Sequence, residues 1–215
     1  DVSENGTFAK FENNTFQDNK SGSMNVVAQT LATVGPGNKF NQPIHVVEST
    51  VDQTMAWPAF DVPVFVDGHI HIKNQSSVPT LTIADKTTLK MAPSVYISAG
   101  SGEEPGALVA KNVTFTSASP APSPGDWVGI FLIQKSNGTD IENCTFEFFG
   151  SNAHSGRGAI TFDGGAKTAD LVNVTIKNDT FRHGKQQAIY TEDGKCAPFD
   201  AAGNKADGVP LCDKK

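Results

Sequence analysis

Arg157, Asp163, Arg182 and Lys185 are the side chains in this sequence whose types and spacing come closest to a reactive set. A carboxylate can move a proton, and cations can hold a negatively charged group beside it. Asp163 stands before Gly164-Gly165, and Arg182-His183-Gly184-Lys185 follows about one structural repeat later. Two features weigh against catalysis. The chain has no Asp-Asp dipeptide to supply a ready pair of carboxylates, and a solvated face and corner accounts for all four residues. The sequence therefore leans away from an enzyme. An acid–base enzyme is the alternative, and it requires those four side chains to converge within about 10 Å in one groove.

Other candidates also have plain structural explanations. Trp127 follows Gly125-Asp126 at an expected corner, where an aromatic face beside a carboxylate could stack on a sugar; covering the coil edge under the Ala118 to Pro124 loop is the preferred reading. Trp57 before Pro58 is a weaker case of the same kind. His69 and His71 are two apart in a strand pattern and share one face. No third ligand can be named beside them, so no metal site is expected, and no cofactor either. His45, His154 and His183 are isolated.

Of the three cysteines, Cys196 and Cys212 flank a loop rich in Ala, Gly, Asp and Pro. A bridge between them would close about 15 residues and contribute roughly 3 kcal/mol through chain entropy. Two free thiols are the alternative; the disulfide is the expectation, and it implies an oxidising compartment. Cys144, inside a strand pattern, reads as a small buried residue.

Composition narrows the function classes. The net charge is −6, from 23 acidic against 17 basic residues. Nucleic acid, which needs a concentrated basic stripe, is not an expected partner. No apolar run approaches the roughly 20 residues of a membrane span. The chain opens at Asp1-Val2-Ser3 without a basic, then apolar, leader, so either a signal peptide has been removed or there never was one.

The elements that must position these residues are short. Twenty Gly and twelve Pro punctuate the 215 residues, and no window of a dozen keeps an apolar period of 3.6. Alternating segments abound: Ile44 to Val47, Val62 to Val66, Ile70 to Ile72, Leu81 to Ile83, Val95 to Ile97, Val113 to Phe115, Val172 to Ile176 and Ala188 to Tyr190. One theme recurs as Asn13-Asn14-Thr15-Phe16, Asn112-Val113-Thr114-Phe115, Asn143-Cys144-Thr145-Phe146 and Asn178-Asp179-Thr180-Phe181, with Asn38-Lys39-Phe40 as a shorter relative. The phenylalanines are 31 residues apart from Phe115 to Phe146 and 35 from Phe146 to Phe181, the signature of a core rung with variable loops. Asn at a corner tolerates left-handed backbone. Phe stacks from rung to rung without a hydroxyl to satisfy, and Phe outnumbers Tyr by 14 to 2. A two-sheet sandwich would use longer strands and hairpin dipeptides, of which only Asn5-Gly6 and Asn137-Gly138 occur. Asn-x-Ser/Thr sequons at Asn5, Asn13, Asn74, Asn112, Asn137, Asn143, Asn173 and Asn178 follow from the repeat theme. Thr-x-Thr occurs only at Thr80/Thr82 and Thr114/Thr116, too few for an ice-binding ladder.

Leu81-Thr82-Ile83, Leu89-Lys90, Ala107-Leu108-Val109-Ala110, Val113-Thr114-Phe115-Thr116-Ser117 and Gly125-Asp126-Trp127-Val128-Gly129-Ile130 together resemble the repeats of secreted, right-handed parallel β-helix proteins with a pectin-lyase-like fold. Residues 60 to 133 carry the resemblance most clearly. Arg182 to Lys185 also resembles the basic residues of galacturonan hydrolases, whereas the arginine-base signature of pectate lyases is not recognisable; the enzyme alternative that the resemblance implies is a polysaccharide lyase or glycoside hydrolase acting on an acidic polysaccharide through Arg157, Asp163, Arg182 and Lys185. The resemblance implies a secreted or cell-envelope protein in a family mostly without assigned activity. The expected architecture is an all-β, single right-handed parallel β-helix over residues 1–190, with a disulfide-pinned tail or cap over 191–215 in the same domain. The expected function is a non-catalytic scaffold that binds or adheres to a polysaccharide or cell-surface glycan. The chain begins almost at once with a rung-like Phe8-Ala9-Lys10-Phe11, so either the natural protein extends further or another element caps the open edge.

Overall fold

The computed structural model describes residues 6–155, 157–165 and 173–212. Strands of two to five residues, too short to hold a core alone, stack into a single parallel β-helix in which every strand pairing is parallel. The first sheet has eight strands: Met24–Val26, Ile44–Val46, Val64–Val66, Thr88–Met91, Thr114–Ser117, Thr145–Glu147, Thr180–Arg182 and Lys205–Asp207. The second has six, Ser49–Val51, Ile70–Ile72, Tyr96–Ala99, Gly129–Leu132, Gly158–Phe162 and Gln187–Tyr190. The third has five, Met55–Trp57, Thr80–Ile83, Ala107–Lys111, Asp140–Glu142 and Thr175–Lys177. Successive coils visit the sheets in that order. The expected strand at 172–176 begins at Thr175; Val172, like the sequon at Asn5, lies outside the described residues.

Alternation along each strand sends one set of side chains inward, where identical or similar residues meet from coil to coil. Ile70, Ile97, Ile130, Ile160 and Ile189 are in register and fully buried. Each isoleucine contributes roughly 2 kcal/mol of transfer free energy before its entropy cost. In the first sheet the rings of Phe115 and Phe146 stack at 4.8 Å and those of Phe146 and Phe181 at 4.9 Å, the rung spacing itself.

The recurring asparagine makes the corner between the third and first sheets. Asn112, Asn143 and Asn178 all adopt left-handed backbone, with φ of 53°, 55° and 57°. Their amides donate to Glu142, Lys177 and Ala202 carbonyls one coil on, at 3.0, 3.1 and 3.0 Å. One left-handed residue thus turns the chain without losing a backbone hydrogen bond, and Asn tolerates that geometry better than other side chains with a Cβ. The residue after each asparagine points inward: Val113, then Cys144, then Asp179, with Asn204 on the last coil. Threonines Thr88, Thr114, Thr145 and Thr180 follow in one outward file. The neighbouring file carries Lys90, Thr116, Glu147 and Arg182, so the threonines stay single-file.

Both ends are covered. At the N-terminal end a one-turn helix, Ala28–Leu31, takes the place of a second-sheet strand and buries Ala28 and Leu31. It is too short to persist alone. Ser49 Oγ accepts the Ala28 amide at 3.0 Å, and the Trp57 indole donates to the Ala28 carbonyl at 3.1 Å. Phe11, Phe16 and Phe40 continue the ring contacts beyond it, at 5.8 and 5.2 Å. At the other end the short helix Ala197–Ala201 stands where the third sheet would continue, and Phe199 packs 5.5 Å from Phe162. Its neighbour Cys196 is bridged to Cys212, as the spacing implies, with Cα atoms 5.6 Å apart. The tail expected from residue 191 also lengthens the coil: Lys205–Asp207 is the last strand of the first sheet, and the Pro210 and Leu211 carbonyls accept the Ala188 and Ile189 amides at 2.8 Å each.

Inside the last coils lies a polar file. The Cys144 amide donates to Asp179 Oδ1 at 2.7 Å, and the Asp179 amide donates to Asn204 Oδ1 at 3.0 Å. Asp179 is fully buried, and its Oδ2 has no partner among the described residues. Burial pushes this carboxyl up to about 8, outweighing the Cys144 amide that stabilises its charge, so it is protonated at neutral pH. Burial also pushes the Cys144 thiol up to about 12, which makes it unreactive. The folded chain holds the Asp179 proton at pH values where the unfolded chain has released it. The Asp179 contribution to stability is therefore full below the unfolded value of 3.8 and is lost as pH rises towards about 8, a loss of up to a few kcal/mol. Asp179→Asn, which keeps the acceptor and cannot ionise, is expected to flatten that slope in urea titrations at pH 5, 7 and 9. Parallel slopes for wild type and variant would show that Asp179 ionises freely.

Candidate functional site

The inward isoleucine file fixes what faces out on the second sheet. Thr50, His71, Ser98, Phe131, Thr161 and Tyr190 form one file in register on the outer side, of which Ser98, Phe131 and Thr161 are buried. The position two residues earlier carries Tyr96, paired with Gly129 on the next coil. Gly129 has φ of 142°, and a Cβ there would lie 2.3 Å from the Gly158 carbonyl oxygen, so only glycine lets the backbones pass. The residue-size pattern leaves Tyr96 standing above a low neighbour.

Around Tyr96 gather three histidines from two segments, His69 and His71 on one and His154 on the other. His69 stacks on its ring at 4.0 Å, His71 meets it edge-on at 5.5 Å, and His154 lies 5.3 Å away. His154 comes from the 3-10 turn Ala153–Ser155, where its own left-handed backbone (φ 52°) swings the ring over the sheet to 4.9 Å from His69. His71, Tyr96, Ser98, Phe131, His154 and Asp163 line a hollow of about 360 Å³. One end of the outward file runs into a second groove of about 450 Å³, lined by Arg157, Lys185, Gln186, Gln187, Tyr190 and Thr191.

The electrostatics favour neutral rings. Burial first, then His154 and His71, lower the His69 pKa against the opposing pull of Glu48. Burial and Lys73 lower that of His71, again against Glu48. Tyr96 is raised by burial and by Glu48. His71 Nδ1 lies 3.1 Å from Ser98 Oγ, while His69 Nδ1 is buried with no hydrogen-bond partner among the described residues. Among those residues no three His, Cys, Asp or Glu side chains are grouped to hold a metal ion.

The four residues considered for catalysis do not converge. Arg157 and Lys185 line the same groove. Asp163 lines the other hollow, at the far end of the strand that Arg157 precedes. Arg182 lies on the first sheet, with Nε and Nη2 2.7 and 2.6 Å from Glu147 Oε1. The acid and base of a hydrolase or lyase cannot be assembled from this set.

Trp127 is corrected as well. It is 0% exposed, its indole donates to the Glu147 carbonyl at 2.7 Å, and it packs into the interior near Phe115, so neither ring face can receive a sugar. Asp126 ties the preceding loop instead, accepting from Ser117 Oγ at 2.6 Å and from the Ser123 amide and hydroxyl at 3.0 and 2.7 Å. Burial works to raise its pKa, and these hydrogen bonds together hold it below the ordinary carboxylate value. Trp57 is likewise interior. The sequence reading missed Tyr96, Phe131 and His154 as companions of His69 and His71. Alternation in Val95-Tyr96-Ile97 placed Tyr96 on an outward face, but which coil neighbour it meets depends on loop lengths. Nothing local marks His154.

No protein-family model, curated protein or solved structure matches this chain.

The unfolded chain binds the His69 and His71 protons more readily than the folded one. Their contribution to stability is therefore present above 6.5 and is lost as pH drops below it, and both imidazoles are expected to titrate below that value. Two-dimensional 1H–15N NMR of the imidazoles reads this directly; a midpoint at or above 6.5 for His69 would contradict the burial described.

Proposed function

We propose that the protein is a secreted or surface-attached, non-catalytic β-helix of the pectin-lyase-like group, and that it binds a glycan along the outer face of its second sheet. The observation that carries this reading is the hollow on the outer side of the second sheet, where the part-exposed His71 and Tyr96 and the exposed His154 meet, with the part-exposed Tyr190 further along the same sheet. These rings present aromatic and imidazole surface from neighbouring coils, while Ser98, Phe131 and Thr161 between them are buried. A sugar offers the complementary surface, an apolar ring face edged by hydroxyls. The two shallow hollows lie along one sheet, which suits an extended ligand. A scaffold role is supported further by the four non-converging polar residues, and a secreted one by the Cys196–Cys212 bridge.

Screening on a glycan array, followed by calorimetry with the best ligand, tests the reading. Tyr96→Ala is expected to weaken binding by about tenfold, the loss of one stacking platform worth roughly 1 kcal/mol or somewhat more. Arg182→Gln, on another sheet, should leave binding unchanged. An empty array together with an empty cell-surface pull-down would remove the binding claim.

A further inference from the structure

Near its N-terminal end the coil is split on the side of the third sheet. Segments 32–40 and 52–61 belong to neighbouring coils, yet no hydrogen bond joins them among the described residues. The first segment spends its bonds on the chain before it: the Gly35, Lys39 and Asn41 side of that coil donates to the Phe11, Asn14 and Phe16 carbonyls at 2.9, 2.8 and 3.3 Å. The second spends its bonds on the coil after it, where Met55–Trp57 pairs with Thr80–Ile83 and the Trp57 carbonyl accepts the Ala84 amide at 3.1 Å. Two successive hollows of about 460 and 640 Å³ remain between the segments.

Met55–Trp57 is the edge strand of the third sheet. Successive residues of a strand send their N–H and C=O groups to opposite sides. Trp57 bonds towards Ala84, so the amide and carbonyl of Ala56 face the split, where Ala56 is exposed and neither group has a partner among the described residues. Such an edge is a template for another extended backbone. Pro58, with no N–H to offer, ends it. Gln29 lines the first hollow, and its Oε1 is buried without a hydrogen-bond partner among the described residues, a second acceptor awaiting an N–H. Asp52, exposed, is the one charged side chain lining that hollow among the described residues. The second hollow is apolar at its centre: Val34, Pro36 and Pro58 flank the half-buried rings of Phe40 and Phe60, which meet edge to face at 5.7 Å.

We propose that this split is a docking slot for an extended segment of a partner protein, which adds as a strand to the free edge at Ala56. The chemistry names the occupant. A backbone supplies the carbonyl and amide that Ala56 lacks, and its pairing follows the parallel direction of every strand in the coil. In that direction a lysine or arginine early in the segment lies beside Asp52, and an apolar side chain further on enters the hollow at Phe40 and Phe60. The net charge of −6 favours the approach of such a cationic segment. The slot is separate from the second-sheet hollow around Tyr96, and the inference stands independently of the glycan reading.

The probe is a fluorescein-labelled peptide, Lys-Thr-Leu-Thr-Ile-Ala-Phe, whose centre copies Thr80–Ile83, the strand already paired with Met55–Trp57 on its other side. Two further peptides carry N-methyl groups on one or the other set of alternate residues. Fluorescence anisotropy is expected to show saturable binding of the parent peptide. One N-methylated peptide should bind as the parent does, and the other, blocked at the N–H that meets the Ala56 carbonyl, should bind roughly tenfold more weakly. Asp52→Lys, at an exposed position, should weaken the parent several-fold without changing thermal unfolding. Amide exchange of the 15N-labelled protein should slow at Ala56 when the peptide binds. No saturable binding, equal binding by the two N-methylated peptides, an unaltered affinity in Asp52→Lys, or unchanged exchange at Ala56 overturns the slot. Slow exchange at Ala56 in the free protein would mean that the chain itself covers the edge. A dimer that the peptide dissociates would give the slot to a second copy, and either result overturns the assignment to a partner.

Discussion

Registration of one coil on the next is the constraint from which everything else in this molecule follows. Strands of two to five residues have no stability of their own, and their edges are satisfied only by neighbouring coils above and below. Phe115, Phe146 and Phe181 can stack face to face because three successive corners turn at the same place. The left-handed asparagines make those corners uniform while the loops elsewhere vary in length. Slipping one strand by a single residue would turn its buried side chains to solvent and break the ring stack.

The same registration builds the candidate binding face. Once Ile97, Ile130 and Ile160 are fixed inward, Ser98, Phe131 and Thr161 must line up outward. A ligand face on such a coil is therefore a projection of the core, rigid along the sheet and adjustable only at the loops. The Ala153–Ser155 turn adds His154 and leads to Arg157, and the corner after Arg182 delivers Lys185. The covered ends serve the face too. Pro210 and Leu211 satisfy the outer edge of the strand bearing Tyr190, so that ring has a fixed backbone beneath it.

Much of this was legible from residue order alone. The Asn-x-Thr-Phe theme announced both the corner and the stack, since each position has a distinct job: left-handed turn, inward side chain, outward hydroxyl, inward ring. Cys196 and Cys212 announced the clamp on the tail. The face was harder to read, because alternation says that a side chain points outward but not on which of three sheets. Arg182 and Lys185 are three residues apart, yet a corner sends one to the first sheet and the other to the groove beside the second. Trp127 misled for a different reason. Gly125-Asp126 does mark a turn, but Asp126 folds back onto Ser117 and Ser123, and the indole enters the interior rather than the solvent. The inward Asp179 was hidden by its place in the theme, where Val113 and Cys144 occupy equivalent positions.

Nuclear Overhauser spectroscopy of the labelled protein reads the coil-to-coil register most directly. The stacked parallel arrangement predicts ring-to-ring contacts from Phe115 to Phe146 and from Phe146 to Phe181, none from Phe115 to Phe181, and no strong Hα–Hα contacts between neighbouring strands. Strong Hα–Hα contacts between any two of these strands would mean antiparallel pairing, and would contradict both the coil and the face projected from it.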